Sequence, residues 1–82
     1  MGGVYLGKAA MSEHQYIRHG RYIDINVEEI GKRQWIWWYT IDGEHFTELR
    51  DEPRVSENEA QVEAEFEANR QVDQMPRGDA ER

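Results

Sequence analysis

The chain predicts an α+β fold: a three-stranded antiparallel meander with one C-terminal α-helix packed on one face. Three observations carry that prediction. Residues 21–30 alternate apolar and polar side chains with a period of two. Two turn signals, Gly31-Lys32 and Asp42-Gly43, separate that run from two further strand-like runs. Ser56-Glu57-Asn58-Glu59 then opens a helix-forming stretch that Pro76 closes.

In the first predicted strand Ile23, Ile25 and Val27 point one way, and Tyr22, Asp24, Asn26 and Glu28 the other. Branched aliphatics on one side mark a half-buried strand. Gly31-Lys32 suits a two-residue type II′ hairpin turn. The second strand, Gln34–Ile41, is apolar on both faces, and its aromatic and β-branched content favours strand over helix. Asp42-Gly43 is a type I′ turn signal, and residues 44–49 return as the third strand.

The turns decide which faces meet. A two-residue Asp42-Gly43 loop sets Tyr39 opposite Phe46. A two-residue Gly31-Lys32 loop sets Val27 opposite Ile36 and Ile25 opposite Trp38. Ile23, Ile25 and Val27 then share a face with Ile36 and Trp38, while Trp35, Trp37, Tyr39 and Phe46 occupy the other. A three-residue first loop would instead move the aliphatics onto the aromatic face. The expectation drawn here is the two-residue loop.

Pro53, amid charge, ends the strands. Ser56 and Glu59 match a capping box, and a helix follows over about 57–74. Its apolar side chains are modest, and Glu59, Glu63 and Glu67 repel at i, i+4. Such a helix needs the sheet to be stable.

At 82 residues the chain holds one small domain, expected at 14–75. Residues 1–13 are expected to be a flexible N-terminal segment, with Met11-Ser12-Glu13 reading like a second start. Residues 76–82, rich in Pro, Gly and charge, are expected to be a disordered tail. No stretch reaches the roughly 18 apolar residues of a membrane span. The absence of cysteine fits a reducing compartment, so a cytoplasmic location is expected.

Chemistry is thinly represented. Without cysteine, His14, His19 and His45 do not make a zinc ligand set, and no metal or cofactor is expected. Ser12 and Ser56 are the only serines, the second better used as a cap, and no glycine pattern cradles a phosphate. A non-enzymatic protein is therefore expected.

The aromatic strand carries the functional expectation. One helix covers one sheet face, so Trp35, Trp37, Tyr39 and Phe46 would form an exposed patch of a size that marks interaction sites. The expected occupant is a second copy, giving a homodimer, or another protein. Two alternatives stand beside it: Tyr16 and Ile17 folding back over the patch, or single-stranded nucleic acid stacking on it. The net charge of −7 argues against nucleic acid. The acidity is concentrated in residues 51–82, with 10 acidic against 4 basic groups.

Gly20–Val27, Trp35–Gly43 and the acidic, alanine-spaced helix after Ser56 together resemble short uncharacterised bacterial proteins with a strand-strand-strand-helix layout. That resemblance implies an α+β fold and carries no catalytic or binding residue.

Overall fold

The computed structural model describes residues 11–46 and 53–80. It is an α+β arrangement of two layers, a four-stranded antiparallel sheet and one helix. The strands β1 (Met11–Arg18), β2 (Arg21–Gly31), β3 (Gln34–Ile41) and β4 (Glu44–Phe46) lie in the order β1-β2-β3-β4, and α1 spans Glu57–Asp73. The three expected strands are β2, β3 and β4, with residues 47–49 of the third outside the described residues.

The extra strand, β1, begins at Met11, so the last three residues of the expected segment 1–13 lie in a strand. Residues 1–10 lie outside the described residues. A turn at His19-Gly20 creates it, with Arg18 opposite Arg21 and positive φ at both turn residues, 52° and 73°. Two such residues make the type I′ geometry that matches strand twist. On the helix side β1 contributes Ser12, His14, Tyr16 and Arg18, which carry little hydrophobic alternation.

The β2–β3 hairpin overturns the expected register. Val27 lies opposite Trp37, Ile25 opposite Tyr39 and Ile23 opposite Ile41. This regular pairing runs to Glu29 opposite Trp35, then slips by one residue to Gly31 opposite Gln34. Arg33 sits in the left-handed region at φ 57°. Gly31 opposite Gln34 leaves Lys32-Arg33 as the two-residue turn, one position later than the expected Gly31-Lys32, and the slip makes Ile30 an extra residue on β2. Because side chains alternate, that one residue moves the aliphatics of β2 onto the aromatic face of β3. The Asp42-Gly43 turn is as expected, with both φ positive and Tyr39 opposite Phe46.

Helix α1 starts at its expected cap: Ser56 Oγ accepts from the Glu59 backbone N–H at 3.2 Å. Ala60, Ala64, Ala68 and Val72 form its buried stripe, spaced by four. They meet Ile23, Ile25, Val27, Trp37, Tyr39 and Ile41 in the single core. Small residues on the helix let its backbone come close to large residues on the sheet, which is how interiors reach close packing.

Polar contacts tie the helix to β1. The Tyr16 hydroxyl donates to Asn69 Oδ1 at 2.7 Å, and Arg18 makes two 3.0 Å bonds to the Asp73 carboxylate. Burial, then the Glu65 carboxylate, pushes the Tyr16 hydroxyl up to about 12. The Arg18 guanidinium holds the Asp73 carboxyl below its ordinary value.

Residues 76–80, at the start of the expected tail, make backbone contacts with the β1–β2 turn. Gly78 N–H donates to His19 O and Ala80 N–H to Gly20 O, while Arg21 donates twice to Pro76 O. The contact needs glycine on both sides, since a Cβ on Gly20 would fall on the Gly78 carbonyl oxygen.

Candidate interaction surface

The four aromatics singled out from the sequence do come together. Tyr39 stacks on Phe46 with ring centroids 5.5 Å apart and 5° between planes, and Trp37 lies 6.0 Å from Tyr39. Trp35 and Phe46 border the same cluster, half-buried. The face they build is the one beneath α1. Trp37 and Tyr39 keep only 6% and 5% of their surface exposed. The indole N–H of Trp37 donates to Glu63 Oε1 at 2.9 Å, and Arg54 Nε stands 2.9 Å from the same oxygen. Arg54 is itself fixed by a backbone bridge to Trp35, with both hydrogen bonds at 2.8 Å. The expected exposed patch is thus core, because the register slip placed aliphatics and aromatics on one face for one helix to cover. Tyr16 packs at its border from β1, whereas Ile17 points to the other face.

The opposite sheet face is a different surface. By the pairing, it presents Met11, Glu13, Gln15 and Ile17 from β1, and Tyr22, Asp24, Asn26 and Glu28 from β2. Ile36, Trp38 and Thr40 come from β3, and His45 from β4. Among the described residues no secondary-structure element packs on this face. Trp38 lies opposite Asn26, which in turn lies opposite Glu13, so indole and carboxylate share one row. In the neighbouring row Gln15, Asp24, Thr40 and His45 stand side by side.

The electrostatics of the face are one-sided. Glu13, Asp24 and Glu28 project from it, and its strand positions hold no lysine or arginine among the described residues. The Asp24 carboxyl is raised above its ordinary value, first by desolvation and then by the Glu13 carboxylate beside it. Its Oδ1 is buried without a hydrogen-bond partner.

Of the residues expected to form the surface, Trp37 and Tyr39 are buried under α1, and Trp35 and Phe46 border them. The sequence signal for the open face is Trp38, an indole whose neighbour on β2 is the polar Asn26. No group of three or more His, Asp or Glu side chains able to hold a metal ion occurs among the described residues. Among the described residues no helix is long and apolar enough to cross a membrane. No protein-family model, curated protein or solved structure matches the chain.

Proposed function

We propose that this chain is a small non-enzymatic interaction module whose open sheet face binds a basic, extended polypeptide segment. The observation that carries the reading is the β2–β3 register: it spends α1 on the Trp37–Tyr39 face and leaves Trp38, Ile36 and Tyr22 among three carboxylates. A cationic side chain of a partner would lie near Glu13 and Asp24 while its apolar neighbours cover Trp38. The cation would also relieve the repulsion between those two carboxylates.

Size favours a segment over a globular partner. Three long strands about 4.8 Å apart, eight residues long with a rise of about 3.3 Å, make a face of roughly 400 Å². A stable interface takes about 800 Å² per partner. Self-association across this same face would set Glu13, Asp24 and Glu28 of one copy against those of the other. A base-stacking role would place phosphates against Glu13, Asp24 and Glu28, and would need α1 displaced to reach Trp37 and Tyr39. The non-enzymatic part rests on the side-chain inventory, in which Ser56 is committed to the helix cap.

The test is fluorescence anisotropy with a labelled decapeptide of alternating arginine and leucine. Saturable, salt-sensitive binding is expected for the full chain. The double variant Glu13→Gln, Glu28→Gln should bind about tenfold more weakly, since two partly exposed ion pairs contribute together about 1–2 kcal/mol. An acidic peptide should not bind. Absence of saturation at about 1 mM peptide, where affinity falls to roughly −4 kcal/mol, would sink the reading. Tighter binding of a single-stranded oligonucleotide would reverse it in favour of nucleic acid.

A further inference from the structure

We infer that β1 is the seam of a homodimer, in which two copies pair their β1 strands antiparallel about a twofold axis at His14. The result is one continuous eight-stranded sheet with both helices on the same side. The inference does not depend on the peptide-binding reading, because it uses the backbone edge of β1 instead of the open face.

The edge is long, and its charged side chains are Glu13 and Arg18, the second engaged with Asp73. β1 has β2 on one side and no strand on the other among the described residues. Sheet edges are ordinarily protected by lysine, proline, bulges or shortness. Met11–Arg18 is eight residues long, contains no Lys, Pro or Gly, and pairs with β2 without a register break. It is also held in place: the contacts of Tyr16 with Asn69 and of Arg18 with Asp73 anchor it to α1. A pre-ordered edge loses little further entropy on pairing.

The direction of the free backbone groups follows from the His19-Gly20 turn. A two-residue turn makes Arg18 and Arg21 a hydrogen-bonded pair. In an antiparallel ladder bonded and non-bonded pairs alternate, so Ser12, His14, Tyr16 and Arg18 turn their backbone toward β2. Met11, Glu13, Gln15 and Ile17 turn theirs outward. Four residues on each copy, each with one donor and one acceptor, allow about eight new backbone hydrogen bonds.

The side chains select the register. With the axis at His14, Met11 lies against Ile17 of the second copy, and Glu13 against its Gln15. Met11 and Ile17 are the exposed hydrophobics of this strand, at 61% and 45%, and they would cover each other twice over. The Gln15 amide already donates to Glu13 at 3.1 Å within one chain, and the same chemistry would cross the seam. Moving the axis to Gln15 would set Glu13 against Ile17 and Met11 against His19. That register wastes both matches.

The chain has no cysteine, which allows a clean test. Residues facing each other at a non-bonded pair have Cα atoms about 4.5 Å apart, within disulfide range. Under mild oxidation His14→Cys should form a covalent dimer on a non-reducing gel, while Gln15→Cys should stay monomeric. Sedimentation equilibrium of the unmodified chain should approach twice 9.7 kDa as concentration rises. Ile17→Lys, which guards the edge without touching the core, should shift that mass toward one copy. Crosslinking by Gln15→Cys in place of His14→Cys would overturn the register. A monomer at every concentration for the unmodified chain, or a dimer that Ile17→Lys leaves intact, would overturn the seam.

Discussion

Asp24 is the residue at which the open face is least comfortable as a free surface. Desolvation and Glu13 both disfavour its charge, and Oδ1 lacks a partner. A carboxyl whose folded pKa lies above its unfolded value, about 3.9, contributes stability that is complete below that value. The contribution is lost as pH rises through the folded pKa. At pH 7 the ionised group therefore opposes folding, and Asp24→Asn is expected to raise Tm. The gain should stay below about 1 kcal/mol, because the residue as a whole is only partly buried and solvent screens its charge. It should shrink as pH falls toward about 3, where Asp24 is protonated in both states. Thermal unfolding by circular dichroism at the two pH values checks the sign. A variant that is less stable at pH 7 would mean that the Asp24 carboxylate is already neutralised within the chain. Asp73 and Asp42 behave oppositely. Arg18 lowers the first, while the Tyr22 backbone N–H and Arg21 lower the second. Their contributions are present above the unfolded carboxylate pKa and disappear in acid.

At the scale of elements, α1 is a helix defined by its ends and by four small or branched residues. Its outward side holds Val62 and Phe66, exposed at 58% and 65%, among glutamates. Little in the helix stabilises it alone, so the cap matters. Ser56→Ala is expected to cost about 0.5–2 kcal/mol. In a domain of this size that corresponds to a fall in Tm of several degrees, about 4–8 °C per kcal/mol. Differential scanning calorimetry would register it. An unchanged transition would place the start of the helix elsewhere.

At the scale of the molecule, two adjacent tryptophans report the register of the whole sheet. Trp37 is buried under α1 and bonded to Glu63, whereas Trp38 is half-buried on the open face. Trp37→Ala is expected to cost about 3–5 kcal/mol, enough to unfold much of a marginal domain. Trp38→Ala should cost about 1 kcal/mol, since half-buried sites away from the core sit near the middle of the usual range. Urea titration of both variants separates the two registers. A larger loss at Trp38 than at Trp37 would restore the register in which the aromatic face is free.

Several features of this chain were legible without tertiary information. The alternation in β2, the aromatic run of β3, the Asp42-Gly43 turn and the Ser56 cap are local signals, each readable within a few residues. They predict the α+β class, the order β2-β3-β4 and the helix, and they put Trp35, Trp37, Tyr39 and Phe46 on one face. Which side of the sheet was core could not be read this way. A turn at Lys32-Arg33 with Ile30 as an extra residue in β2 differs by one residue of register from a plain Gly31-Lys32 turn, and that residue exchanges the faces of an entire strand. Arg33 in a left-handed conformation resolves the choice, and few non-glycine residues announce that conformation in a sequence. The strand β1 was hidden for a related reason: an edge strand whose inner side chains bond to a helix has no apolar period. The docking of residues 76–80 depends on two glycine backbones, 20 and 78, meeting from opposite ends of the chain. Local chemistry determined the elements. One residue of register in the β2–β3 hairpin and contacts between distant segments decided which sheet face is covered and which is left open.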